Sequence, residues 1–301
     1  MRTTDLFAAL GAAAALFAGA NAQEPALINK PGSAEPIILP REIEKSDKKA
    51  TMIIRAQNGA QFDVYIDGTR LGLTPIRGDI PTGTRLLTAT AESFAPIIEP
   101  VRIVEGDPIE IVLPNEPLTP AIMPRITQNI VSALQAQPNN QHVSLMASMT
   151  ATDDADAMRM LSRAEQIGQP SPLSLLLQGR RLQLDRSYDA SLAALDRGLA
   201  LDPNYAALHR QRARTLTQMD RLEEAVVFAS KAIDLDKFDW NNHYVRGRIL
   251  VQMKRPELAL QEYRNALVLL PGNQLVISAI EEAQGATPQA EPAQQEAPKG
   301  E

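Results

Sequence analysis

Two periodicities divide the chain. In the first, apolar and polar positions alternate: Phe62, Val64 and Ile66 interleave with Asp63, Tyr65 and Asp67, and the same period of two returns at Val101/Ile103 and at Ile109/Ile111/Leu113. Asp67-Gly68, Pro81-Thr-Gly-Thr84 and Glu105-Gly106-Asp107 are turn signals between these runs, and Arg85 to Ala91 reads as another strand. Some five short strands with tight turns over 51–114 predict a small antiparallel β-sandwich. The second periodicity is a repeat of 34 residues. It aligns Gly179, Ala213 and Gly247; Leu182, Leu216 and Leu250; Ser191, Ala225 and Ala259; Gly198, Ala232 and Ala266; and Leu201, Leu235 and Leu269. Small residues recur where two helices must approach closely, and leucine recurs where the pair buries its shared face, so 138–273 predicts an all-α solenoid of helix pairs.

Particular residues tie both regions to known families. Asn58-Gly59-Ala60, Val64-Tyr-Ile-Asp-Gly68, Gly72-Leu-Thr-Pro75, Ile80-Pro81 and Gly83 resemble the PEGA domain, a β-sandwich module of bacterial and archaeal envelope proteins. Gln57-Asn58 stand where that family carries its Pro-Glu, and Ser93-Phe94 where it carries Gly-Tyr. The resemblance implies no catalysis, and its suggested ligand class is carbohydrate or cell wall. Tyr188-Asp-Ala-Ser-Leu through Leu201-Asp-Pro-Asn204 resembles the second helix and closing turn of the tetratricopeptide repeat. Three units follow, at 172–205, 206–239 and 240–273, with a degenerate unit at 138–171 where Ala157, Leu161, Ala164 and Ile167 keep the register but Leu145 takes a small-residue slot. A helix at Met123–Ala136, within a connector at 115–137, leads into the array, and 274–283 reads as the capping helix that covers its last apolar face.

The ends read differently. Arg2, the apolar run Leu6 to Phe17 and Ala20-Asn21-Ala22 have the form of a signal peptide, 1–22, cut before Gln23. That run is too short to span a bilayer, so the expectation is a periplasmic protein with no stable membrane span after cleavage, secretion being the alternative. Residues 23–50, with four prolines and mixed charges, read as a flexible linker, and 284–301 as a disordered tail of Ala, Pro, Gln and Glu.

Composition narrows the chemistry. The chain has 301 residues, no cysteine, and 30 Lys+Arg against 36 Asp+Glu for a net charge of −6. Thiolate nucleophiles and cysteine-bound zinc are excluded, and a nucleic-acid partner held by overall charge is not expected. The charge is unevenly spread: 172–273 holds 15 basic residues against 12 acidic ones. The first helices of the three units carry Arg180, Arg181, Arg210, Arg212, Arg214, Arg246 and Arg248, with Asp185 their one acid. The family resemblance puts first helices on a concave groove, so Arg180, Arg214 and Arg248 are expected to form a ladder there, with Arg210 and Tyr244 one turn before it. Guanidinium forks in a row suit carboxylates or phosphates. The competing reading is a solvated helix face whose arginines pair with neighbouring acids.

Catalytic, metal and cofactor sites are not expected. His209 and His243 fall on slots of packed bulky residues, His142 has no ligand spacing, and Asp153, Asp154 and Asp156 suit helix capping better than a cation loop. Asp63 and Asp67 would lie roughly 13 Å apart along a strand, outside the ~5–9.5 Å of glycosidase carboxylates. Tyr65, Phe94 and Trp240 are the candidates for stacking on a sugar. The expected function is a non-enzymatic adaptor that binds an envelope protein or acidic peptide in the groove, with peptidoglycan or another glycan at the β domain as the alternative.

Overall fold

The computed structural model describes residues 26–27 and 46–286, except Asn58, Glu92 and Thr152. The signal segment and the tail beyond 286 lie outside the described residues.

Among the described residues, eight strands form two sheets. The first has the order β1 (Ala26–Leu27), β8 (Ile109–Leu113), β2 (Lys49–Ala56), β5 (Ile76–Pro81); the second has β4 (Thr69–Leu73), β3 (Asp63–Ile66), β6 (Gly83–Thr90), β7 (Ile97–Ile103). The second sheet is antiparallel throughout, with Val64 opposite Ala89 and Leu87 opposite Glu99. In the first, β2 is antiparallel to β5 but parallel to β8, where Ile54 faces Ile111. The sandwich therefore contains a mixed sheet, because β8 returns from the second sheet to lie beside β2 in the same direction. β1 also pairs with β8, and Lys49–Ala50 open β2, so the stretch 23–50 is not flexible chain throughout. Met52, Ile54, Phe62, Val64, Leu87, Ile103 and Ile111 fill the space between the sheets. β4 and β5 were not legible as strands, being short, glycine-containing and only partly buried. At Asp67 and Gly68 φ is 49° and 81°, the pair of positive values a tight hairpin turn demands.

Ten helices follow. α1 (Met123–Ala136) connects to α2 (Gln141–Thr150) and α3 (Asp154–Ile167), and then come three pairs: α4 (Pro172–Leu184) with α5 (Tyr188–Leu201), α6 (Ala206–Gln218) with α7 (Leu222–Leu235), and α8 (Trp240–Gln252) with α9 (Pro256–Leu269). α10 (Gln274–Ala286) packs on α9 and runs three residues beyond the expected cap, into the stretch read as disordered. A Cβ on Gly179 would lie 2.7 Å from Leu195, and one on Gly247 2.4 Å from Tyr263, so the small slots are where paired helices touch. Each pair turns through an identical device. Arg186, Asp220 and Lys254, 34 residues apart, have φ of 59°, 59° and 58°, and the next amide donates back to Leu182, Leu216 and Leu250 respectively. This is the Schellman cap, built without its usual glycine.

Strand β6 explains how the two regions join. Leu87 points into the sandwich, while Leu86, with Ala95 and Ile98, packs outward on Ile126, Ile130, Val143 and Met146 of α1 and α2. The second sheet is thus covered on both faces, and the sandwich and helices share a continuous interior.

Candidate functional site: the inner wall of the helical array

The first helices α4, α6 and α8 pack on one another in series, each followed by its second helix on the outside. They form the inner wall of the solenoid, and the sandwich covers one half of it. Gln61, Thr90 and Ala91 close over Leu173 and Leu176 of α4 and over Ala207 and Arg210 of α6, leaving a gap of about 20 Å³, room for a single water.

Polar contacts fix this docking at the turns between units. Gln61 donates its backbone N–H to Asp236 Oδ2 at 3.0 Å and its side-chain amide to the carbonyls of Asn204 and Leu235, and accepts from the Ala206 N–H at 3.3 Å. The Phe238 ring sits on Gly59, where a Cβ would meet it at 3.0 Å. Arg70 bridges Asp63, through Nε at 2.6 Å, and Asp202, through Nη2 at 2.7 Å. Tyr65 donates to Asp63 at 3.1 Å and stacks on the His142 ring at 3.5 Å between centroids, while His142 Nδ1 lies 2.6 Å from Thr88 Oγ1. Burial acts on these groups in opposite directions. It raises the Asp63 carboxyl to about 6 against the pull of Arg70, and lowers the His142 imidazole to about 3 with help from the Arg70 charge. Both are therefore held close to their neutral forms near pH 5.

Arg210 lies inside this junction, with 1 % of its surface exposed. Its Nη1 donates to Asp239 Oδ2 at 2.7 Å and Asn242 Oδ1 at 2.5 Å, while Asp239 accepts from the Asn241 amide as the N-cap of α8 and from Ser93 Oγ of the sandwich. It is a structural tie between α6, α8 and the sandwich, so the expectation of a groove ligand at this residue is corrected. Tyr244 is buried as well, packed between Trp240 and Tyr263. Among the remaining arginines, Arg181 pairs with Asp185 at 3.1 Å, Arg212 with Asp196, and Arg246 with Glu262 at 3.4 Å, as the solvated-face reading requires. Arg180 and Arg248 are exposed, and Arg214, half-buried, donates to Asn241 Oδ1 at 2.8 Å. These three occupy the uncovered half.

The other candidates are absorbed by packing. Asp153 caps α3, His209 Nε2 bonds the Pro203 carbonyl and its ring stacks on Phe228, and His243 bonds Glu262. Tyr65 and Phe94, offered as sugar platforms, are buried, Phe94 against Phe62, and Trp240 packs on Tyr244. Among the described residues no group of three or more His, Asp or Glu could hold a metal, and no helix is long and apolar enough to cross a membrane.

A feature that reading the sequence missed lies beyond Met149, on the side away from the sandwich. There α2, α3 and α4 leave a slot of about 150 Å³ beside Arg180. Its signal was available: Ser148 stands 34 residues before Leu182, in a slot that every later unit fills with leucine.

The fold joins a two-sheet β-sandwich to a solenoid of helix pairs. The PEGA domain family matches residues 52–117. Protein STIP1 homolog of Dictyostelium discoideum is 34 % identical over 111 residues, 36 % of this chain and 20 % of that protein. Protein DIA2 of Eremothecium gossypii is 32 % identical over 104 residues, 30 % of this chain and 15 % of that protein. The chain thus spans a fifth or less of the length of these curated relatives. Among solved structures, the first tetratricopeptide domain of Spaghetti (RPAP3), bound to the HSP90 peptide SRMEEVD, is similar at 21 % identity and a TM-score of 0.37, over 38 % of this chain and 91 % of that one. YrrB, a repeat protein with an unusual peptide-binding site, is similar at 18 % identity and a TM-score of 0.38, over 54 % and 84 %.

Proposed function

We propose that this protein is a non-enzymatic adaptor of the bacterial cell envelope, exported to the periplasm, that binds an acidic segment of a protein partner along the uncovered half of the inner wall. The observation that carries the reading is positional. Arg180, Arg214 and Arg248 recur at one place in each unit, on the part of the wall that the sandwich leaves open, whereas Arg210 is buried beneath it. A line of guanidinium groups recognises carboxylates by charge-assisted, paired hydrogen bonds. Export rests on the form of residues 1–22.

The test is Arg180→Glu/Arg214→Glu/Arg248→Glu in the full-length protein, crosslinked in intact cells beside the native chain. Loss of specific crosslinks, mirrored by salt sensitivity of the native complex, is expected. Unchanged, salt-insensitive crosslinking sinks the groove mechanism. Fractionation with N-terminal sequencing tests export: a periplasmic chain starting at Gln23 is the expected result, and a cytosolic chain retaining Arg2 overturns it.

A further inference from the structure

The slot beside Arg180 follows from two departures in the first unit. The close-approach position, Gly179, Ala213 and Gly247 in later units, holds Leu145, which packs in the core with Leu161 and Ala164 of α3. The leucine position of the later units holds Ser148, and its hydroxyl is spent on the Ala157 carbonyl at 2.8 Å. The missing isobutyl group at Ser148, which lines the slot, leaves a hole. Met149, Met158, Leu161, Leu177 and Leu184 form the apolar part of its wall, and Ser148, Asp154, Arg180 and Arg181 the polar part. Leu184 is 64 % exposed and Met158 37 %, a large apolar edge for a protein to leave in water. Arg180 and Arg181 stand at the same slot, and Asp154 is the one acid in its lining.

We propose that this slot is a side-chain pocket for an aliphatic anchor, leucine, isoleucine or methionine, set next to acidic residues in the bound segment. The inference rests on the groove reading above and narrows its partner to an acidic peptide with one such anchor. The slot's volume, about 150 Å³, equals that of a cavity that takes benzene, so a single aliphatic side chain fits and an indole is too large. Charge complementarity selects the flanking residues, because the slot opens beside the first rung of the arginine ladder.

The experiment uses the full chain with ¹³C-methyl-labelled methionine and two probes. The first is N-acetyl-leucinamide, which is neutral; the second is a fluorescein-labelled heptapeptide of glutamates around a central leucine, with its central-alanine counterpart. Both leucine probes are expected to shift the Met149 and Met158 methyl resonances. The leucine peptide is expected to bind about tenfold or more tightly than the alanine one, and Ser148→Leu, which fills the slot, should erase that difference. Equal binding of the two peptides with silent methyl groups overturns the slot, and the groove reading stands if Arg180→Glu/Arg214→Glu/Arg248→Glu still abolishes binding. Methyl shifts with N-acetyl-leucinamide but no binding of either peptide uphold the slot and overturn the groove. Silence toward every probe overturns both. The methyl readout is taken on the native chain, so it holds even if Ser148→Leu misfolds.

Discussion

The two halves of the inner wall are built from the same helices and the same residue types, yet they do opposite things. Toward the N-termini of α4 and α6 the wall lies under the sandwich, and Arg210 there is 1 % exposed and paired with Asp239. One helical turn along α6, Arg214 is half-buried and in line with the exposed Arg180 and Arg248. Position along the helix, four residues, separates a tie rod from a candidate recognition group. The lesson is that a basic stripe on a repeat protein must be divided by what covers it before it is read as a ligand surface.

The largest test of that division is Arg210→Ala against Arg214→Ala. Removing the first strands the buried Asp239 carboxylate and should cost about 3–5 kcal/mol in urea unfolding. The second loses a partly solvated hydrogen bond and should cost about 1 kcal/mol or less. Equal costs would erase the distinction between the halves.

Next comes the titration of the covered half. Asp63 has a folded pKa of about 6, above its free value of 3.8, so its contribution to stability is full below pH 4 and is lost as pH rises through 6. His142 has a folded pKa of about 3, below its free value of 6.5, so the folded state binds fewer protons and stability grows from pH 3 to 6.5. Between pH 4 and 6 the two slopes oppose each other, one proton each, and this pair of groups together contributes almost no pH dependence. His142→Gln should expose the falling limb, a loss of up to about 3 kcal/mol from pH 4 to 6, and Asp63→Asn the rising one. Parallel profiles for both variants would refute the compensation.

A smaller effect is expected on wall packing itself. Gly247→Ala brings a Cβ to 2.4 Å from the buried Tyr263 ring and should cost about 1–3 kcal/mol in thermal unfolding, despite the better helix propensity of alanine. A stabilised variant would mean that α8 and α9 can part cheaply. Smallest, and of opposite sign, are the turns. Arg186→Gly, Asp220→Gly and Lys254→Gly relieve left-handed backbone and should each stabilise by about 0.5–1 kcal/mol. No gain at any of the three would mean that their side chains compensate the strain.

Most of the architecture was legible because it depends on spacing. Close helix contacts admit only small residues, so Gly179, Ala213 and Gly247 announce the array, and alternation at Phe62, Val64 and Ile66 announces the sandwich. What could not be read depends on contacts between distant segments. Arg210 meets Asp239 across 29 residues of sequence, Asp239 meets Ser93 across 146, and no local pattern distinguishes Arg210 from Arg214. The consecutive pair Leu86-Leu87 breaks the alternation of β6, and was the available hint that the sheet is covered on both faces. The Schellman turns were missed because arginine, aspartate and lysine sit where glycine is the usual sign.

The docking at Asp202 and Asp236 has a mechanical side. These turns lie one unit apart, and a single rigid sandwich grips both, through Arg70 and Gln61. A solenoid whose units touch only their neighbours behaves as a spring, with compliance summed along its length. Here the first units are splinted to a plate that also reaches the N-cap of α8, where Ser93 meets Asp239. The compliance of the array is thereby left to the helices past that cap, while the turns at Asp202 and Asp236 are held at a fixed distance.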